Sequence, residues 1–203
     1  MQNQPPPYAA GPPGPGNRRR RRGPALWTAG VLAVTGLLAV GGIWWNGTAY
    51  PSTDPDRVAE GLKAQAQVVY DDLALPGRPA VSATVATSTC PYRGLRGMFH
   101  TGTRPDVAGF WLHWKFDDMD PATARAGQDR VRARLERQGW RLVSENIASE
   151  QGFRYTAPNG KDKIDVNWYR PTRILAVTLH APCGVLPEGF DKSDWPVANW
   201  TAR

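Results

Sequence analysis

The sequence predicts an α+β domain in which two helices pack on one face of a mostly antiparallel sheet, preceded by a single transmembrane helix. Three observations predict this fold. An uncharged apolar segment lies near the N-terminus, two segments combine helix-start signals with an apolar face, and several later segments alternate apolar and polar residues as strands do. The chain has 203 residues, which is enough for one domain with a substantial core.

The predicted transmembrane helix covers residues 25–45, which carry no charge. As a helix this segment is about 31 Å long, close to the hydrocarbon thickness of a bilayer. Trp27 and Trp45 mark its two ends, as is typical at headgroup boundaries. Five arginines, Arg18–Arg22, precede it, so we expect a cytoplasmic N-terminus and a single-pass protein of the plasma membrane, with residues 25–45 in contact with lipid. A signal peptide cleaved after Ala49 is the open alternative.

The remaining boundaries follow from composition. Residues 1–24 contain seven Pro and four Gly and are predicted to be a disordered cytoplasmic arm. Residues 46–53 are a linker, and residues 54–203 form the extracytoplasmic α+β domain. The chain has 25 basic residues, and 20 of them remain when Arg18–Arg22 are left out, compared with 18 acidic residues. This near-balance predicts no nucleic-acid partner.

Both predicted helices begin with the same signal. Asp54 is followed by Pro55 and Asp120 by Pro121, and each pair suits an N-cap and the first helical position. Gly139 is expected to end the second helix, with Trp140 folding back on its last turn. The apolar face of the first helix and the thinner stripe of the second consist of Val58, Leu62, Ala66, Val69 and Leu73, and of Ala124, Gln128, Val131 and Leu135.

Six strands are predicted, two between the helices and four after them. The first two cover residues 80–90 and 110–116, separated by a long loop at 91–107. In the second strand Phe110, Leu112, Trp114 and Phe116 share one face, while Trp111, His113 and Lys115 share the other. The later strands cover 140–147, 153–155, 164–169 and 174–181. Residues 185–203 are predicted to be a loop, with Trp195 and Trp200 as anchors.

Cys90 and Cys183 are the only cysteines in the sequence. Both lie in the predicted extracytoplasmic domain, where disulfides persist, and each ends a predicted strand. We therefore predict a Cys90–Cys183 disulfide. Closing a loop of this length stabilises a fold by about 4–5 kcal/mol in the chain-entropy model.

The sequence predicts no catalytic, cofactor-binding or metal-binding residues. His100, His113 and His180 lack the spacing of a zinc motif, and no phosphate-binding loop or nucleophile elbow is present. Asp117, Asp118 and Asp120 form the densest acidic group; helix capping explains them, and a cation site is the alternative. The tryptophans fit core packing or stacking on sugars, and Trp111 stands out because it lies opposite the apolar face.

Two short motifs add a resemblance. The segments Arg134–Trp140 (RLERQGW) and Leu179–Gly184 (LHAPCG), together with the Pro/Gly-rich arm, the arginine run and one span, resemble single-pass membrane-anchored, lipoprotein-like proteins of actinomycete bacteria. The cysteine of a lipoprotein is absent after the apolar segment. The resemblance implies an envelope location and an α+β outer domain, and it brings no catalytic residues.

Three functional hypotheses follow. The first is a non-enzymatic, membrane-tethered extracytoplasmic domain that binds an envelope protein or a cell-wall component. The second is an envelope hydrolase or transferase that uses Asp117, Asp118 and His113, which requires those side chains to converge. The third is an accessory subunit that assembles through its span.

Overall fold

The structure is a computed structural model that describes residues 45, 47, 49–146, 150–191 and 199–203. The predicted arm at 1–24, the predicted span at 25–45 apart from Trp45, and the predicted anchor Trp195 lie outside this part of the chain. Within the described residues, no helix combines the length and the apolar character that a bilayer crossing requires.

Three helices and seven strands make up the described domain. The helices are α1 (Pro55–Leu73), α2 (Gly94–Phe99) and α3 (Pro121–Arg137). The strands are β1 (Ser82–Pro91), β2 (Thr103–Phe116), β3 (Arg141–Asn146), β4 (Glu150–Thr156), β5 (Lys163–Tyr169), β6 (Ile174–Val185) and β7 (Asn199–Thr201).

The starts of α1 and α3 and the end of α3 are as predicted. The Asp54 carboxylate accepts hydrogen bonds from the first-turn amides of α1, and the Asp120 carboxylate accepts one from Thr123 N at 2.9 Å in α3. After α3, Gly139 has a φ of +76°, and the Trp140 amide donates to the Leu135 carbonyl at 2.9 Å. This is the Schellman arrangement, which places Trp140 on the last turn as predicted.

All seven strands form one antiparallel sheet in the order β3-β4-β5-β6-β2-β1-β7. The long strand β2 runs near the middle, between β1 and β6. Helices α1 and α3 contact each other, and their buried side chains join those of the sheet in one apolar cluster. The predicted α+β class is therefore confirmed, with a sheet that is antiparallel throughout its named strands.

The alternation in β2 places its side chains as the sequence predicts. Phe110, Leu112, Trp114 and Phe116 are each at most 5% exposed and belong to the main core. In register with them lie Leu179, Val177 and Leu175 of β6, and beyond these the apolar side chains of β5. The helices thus cover one face of the sheet, and we call the other side the open face.

Two segments differ from the prediction. The predicted loop at 91–107 contains α2 and the first residues of β2, and the tail, predicted as a loop, contributes β7. A six-residue helix is too short to show periodicity, and a three-residue strand shows no alternation. Trp200 on β7 is buried, as expected of an anchor. Strand β6 also continues past its predicted end, through Pro182 to Val185.

The predicted disulfide is present between Cys90 and Cys183. It joins β1 to β6, whose C-terminal ends lie at the same end of the sheet, and β2 lies between them. Gly109 of β2 leaves space for Ser88 next to the bridge, because a Cβ at Gly109 would lie only 2.7 Å from Ser88 Oγ, whereas its 3.5 Å distance from Cys183 Sγ would be an ordinary contact. Tyr50 packs against the bridge in a small second cluster with Val107 and Val185.

The segment before α1 is attached to this end of the domain. The Val185 amide donates to Pro51 O at 2.8 Å, and the Thr53 amide donates to Val185 O at 2.9 Å. The Tyr50 hydroxyl donates to Pro91 O at 2.8 Å. Residues 50–53 therefore follow the domain surface before α1 begins.

Candidate binding groove

An open groove of about 660 Å³ lies beside the first turns of α3. It lies where β4 begins and β5 ends, at the end of the sheet opposite the disulfide. A second cavity of about 220 Å³ continues along α3 and shares Arg125, Asp129 and Gln151 with it. The larger groove is lined by Pro121, Ala122, Arg125, Ala126, Asp129, Gln151, Trp168 and Arg170.

Two guanidinium groups meet in the groove. With its side-chain oxygen turned towards them, the orientation that satisfies the surrounding donors, Gln151 accepts a hydrogen bond from Arg125 Nη2 at 3.1 Å and another from Arg170 Nη2. Within the described part of the chain, neither arginine forms an ion pair with a carboxylate. A neutral amide oxygen therefore holds two positive charges side by side.

The floor of the groove is linked to α3 by hydrogen bonds. Gln128 of α3 is buried, and its Nε2 donates to Gln151 O at 2.7 Å and to Val166 O at 3.3 Å. These bonds attach α3 to β4 and β5 directly beneath the two arginines. Trp168 is 2% exposed and supplies the apolar base. The predicted stripe of α3 includes Gln128, but its role in fixing the strands could not be inferred from periodicity.

The other arginines of α3 that contact the fold have protein acceptors. Arg130 donates to the Asp72, Leu73 and Ala74 carbonyls, which are left open at the C-terminus of α1. Arg134 forms an ion pair with Asp72 at 2.6 Å, and Arg132 forms one with Glu145 of β3. These three side chains hold α3 in place. Arg125 differs from them because its acceptor is the neutral amide oxygen of Gln151 and not a carboxylate or a helix-end carbonyl.

The chemistry of the groove suits an anion. Guanidinium groups present paired N–H donors that match the oxygens of a carboxylate or phosphate. Pro121, Ala122 and Trp168 add apolar surface beside the two charges. Asp129 is exposed one turn after Arg125 and would favour a ligand that also carries a positive or hydroxyl group.

The structure separates the side chains of the hydrolase hypothesis. His113 Nδ1 lies 2.9 Å from Thr178 Oγ1 on the open face, and burial together with the charge of Lys115 lowers the pKa of His113. Lys115 Nζ binds Asp117 Oδ1 at 2.9 Å, and Asp118 is exposed. His113 and Asp117 are four residues apart, about 13 Å along an extended strand. They are thus directed to different partners.

Trp111 lies on the open face, as its position in the alternation predicts. It is half-buried, and its ring centroid is 6.3 Å from that of His113. Its partners across the sheet are Ala86 and His180. The side chain is therefore available on the surface that the helices do not cover.

A charged cluster on the open face was not predicted. Arg154 donates two hydrogen bonds to the Asp165 carboxylate, from Nε to Oδ1 at 2.5 Å and from Nη2 to Oδ2 at 2.7 Å. His180 Nε2 lies 3.2 Å from Asp165 Oδ2. Burial alone raises the pKa of Asp165, but the hydrogen bonds from Arg154 and His180 outweigh it and lower this pKa to about 2. The sequence does contain one signal for this cluster. Ile164, Val166 and Trp168 alternate as core residues, which places Asp165 on the open face.

The described residues contain no group of three His, Cys, Asp or Glu side chains placed to hold a metal ion.

Comparison with known proteins adds little. No known protein family matches the chain, and no curated protein matches it. Among solved structures, the "putative lipoprotein LppA" from Mycobacterium tuberculosis aligns with 84% of this chain and 96% of its own, at 12% identity and a TM-score of 0.38. At this level of similarity we transfer none of its properties.

Proposed function

We propose that the protein is a membrane-tethered, extracytoplasmic binding domain of the bacterial cell envelope, and that its groove binds an anionic group of an envelope component. The observation that carries the proposal is the pair Arg125 and Arg170, held together by Gln151 without a carboxylate among the described residues. Like charges brought together in this way are stabilised by an anion between them.

Two features support the location. The apolar segment at 25–45 has the length of a membrane span, and Arg18–Arg22 precede it, which favours a cytoplasmic N-terminus. The Cys90–Cys183 disulfide favours an oxidising compartment for the domain. Together they support a domain outside the plasma membrane.

The location is tested with the two cysteines. In cells stripped of their wall, Cys90 and Cys183 should react with a membrane-impermeant maleimide only after treatment with an impermeant reductant. Reaction without the reductant would mean that the bridge is absent in the cell. Reaction only after cell lysis would place the domain inside the cell and reject the proposal.

The groove is tested with small anions on the full chain in detergent micelles. We expect glycerol phosphate or N-acetylglutamate to raise the Tm, because ligands that bind only the folded state stabilise it. The double substitution Arg125→Ala, Arg170→Ala should abolish this rise. These two probes also distinguish a phosphate from a carboxylate preference.

A charge-matched control separates the groove from general electrostatics. Arg57 and Arg137 are exposed arginines away from the groove, and the variant Arg57→Ala, Arg137→Ala loses the same charge. It should keep the ligand-dependent rise in Tm. An equal loss in both double variants would show that the anions bind to surface charge and not to the groove.

A further inference from the structure

Helix α2 carries the two most exposed large apolar side chains of the described domain. Met98 is 77% exposed and Phe99 is 72% exposed. They follow one another at the end of α2, in the long connection between β1 and β2. An exposed apolar pair is a candidate contact surface where neighbouring side chains also point to a partner.

The start of the described chain packs on the same connection. The ring of Trp45 stacks on that of Phe99, with centroids 6.2 Å apart and planes at 22°. Gly47 has a φ of +68° and approaches α2 so closely that a Cβ there would lie 2.5 Å from Gly94 N. Tyr50 is hydrogen-bonded to Pro91 O. Trp45, the last residue of the predicted span, therefore lies beside Phe99 of the exposed pair.

Two arginines precede the apolar pair within six residues of sequence. Arg93 lies over the Tyr50 ring at 3.7 Å, and Arg96 lies over the Tyr92 ring at 4.5 Å. The one acid between residues 91 and 106 is Asp106, which is paired with Arg104. Aromatic and apolar side chains with arginines beside them are typical of protein surfaces that lie in the interface of a bilayer.

We propose that Trp45, Met98 and Phe99 insert into the boundary between headgroups and acyl chains of the outer leaflet, with Arg93 and Arg96 next to lipid phosphates. This proposal rests on the membrane tether proposed above and adds the orientation of the domain. The domain would then rest on the membrane by its disulfide end instead of extending from a free linker.

The orientation has a consequence for the groove. Strand β2 begins at Thr103, next to α2, and ends at Phe116, close to the groove. Fourteen residues of extended chain span about 40 Å. The groove would therefore open away from the membrane, where envelope components are accessible.

Photo-crosslinking on the full chain tests the contact. The sequence has three methionines, Met1, Met98 and Met119, so photo-methionine introduces few probes. In nanodiscs that contain anionic phospholipid, we expect phospholipid adducts on the tryptic peptide with Met98, several-fold above those on the peptide with Met119. Met119 is the internal control because it is half-buried beside α3, at the opposite end of the sheet.

Two results would overturn the proposal. The first is equal lipid labelling at Met98 and Met119. The second is crosslinking of Met98 to another segment of the chain or to a second copy, since a protein surface would then cover the pair. Flotation with lipid vesicles is measured in parallel. A chain that fails to float contradicts the tether itself, whereas a chain that floats without lipid adducts at Met98 contradicts only the orientation.

Paired variants give a second readout. Met98→Ser, Phe99→Ser removes the inserted side chains, and Leu142→Ser, Val143→Ser removes the exposed apolar pair of β3, which are 47% and 55% exposed. In nanodiscs we expect trypsin to cleave after Arg96 several-fold faster in the first variant than in wild type, and at the wild-type rate in the second. Unchanged cleavage in the first variant would also overturn the proposal.

Discussion

The covered face and the open face of the sheet are built from the same strands but are stabilised differently. On the covered face, side chains such as Leu112 and Trp114 of β2 are buried under the helices in one continuous apolar cluster. On the open face, the side chains that alternate with them form separate polar pairs, including His113–Thr178 and Lys115–Asp117. Burial of apolar area acts over the whole cluster, whereas each polar pair acts locally.

The comparison shows where this protein can vary in sequence. A change on the covered face leaves a cavity that many neighbours share. A change on the open face affects one partner, except where a buried charge is involved. Asp165 is that exception, because it is 7% exposed although it faces away from the helices. The stability that each face contributes can therefore be compared by making the same type of substitution on both faces.

The largest effect is expected from Trp114→Ala. Trp114 is 2% exposed, and its ring lies 5.1 Å from that of Trp200. Its removal should lower the free energy of unfolding by about 3–5 kcal/mol, as measured by urea unfolding followed by circular dichroism in micelles. Trp111→Ala, three residues away on the open face, should cost less than about 1 kcal/mol.

A third variant sharpens this comparison. Trp114 Nε1 is buried without a hydrogen-bond partner in the described structure, so Trp114→Phe removes an unsatisfied donor together with part of the ring. It should cost much less than Trp114→Ala. Equal losses for Trp111→Ala and Trp114→Ala would contradict the assignment of the two faces.

Much of the covered face could be predicted from the sequence, because its signals are local. The Phe110–Phe116 alternation and the Asp120 cap each depend on residues within one strand or one turn. The Cys90–Cys183 bridge was predicted because the two cysteines have no other partner in the chain. In contrast, the position of β6 beside β2 depends on pairing between residues 59 to 78 positions apart, which no local pattern encodes.

The candidate groove could not be predicted for the same reason. Arg125 and Arg170 are far apart in sequence, and they meet only because α3 packs beside the ends of β4 and β5. In the sequence, Arg125 is indistinguishable from Arg130 and Arg134, which bind the C-terminal end of α1. The partner of an arginine, and not its spacing, decides whether it holds the fold together or is available to a ligand.

The next effect concerns the charged cluster of the open face. Arg154→Ala should lower the free energy of unfolding by about 2–3 kcal/mol, because it leaves the buried Asp165 carboxylate with only His180. Adding Asp165→Asn should restore part of that loss, since a neutral amide needs no countercharge. The control Lys163→Ala, on the open face of the same strand, should change stability little. Strict additivity of the two substitutions in urea unfolding would contradict this coupling.

The smallest effect is a pH dependence from the same carboxylate. The folded pKa of Asp165 is about 2, below its ordinary value of 3.8, so the unfolded chain takes up the proton first. Its contribution, about 2 kcal/mol, is complete above about pH 5 and is lost as the pH falls through 3.8 towards 2. Asp165→Asn should therefore flatten the decline in urea-measured stability over this range. Trp111→Ala removes no charge from the same face, so the slope of its stability against pH should equal that of wild type. A wild-type slope in Asp165→Asn would show that other carboxylates cause the decline.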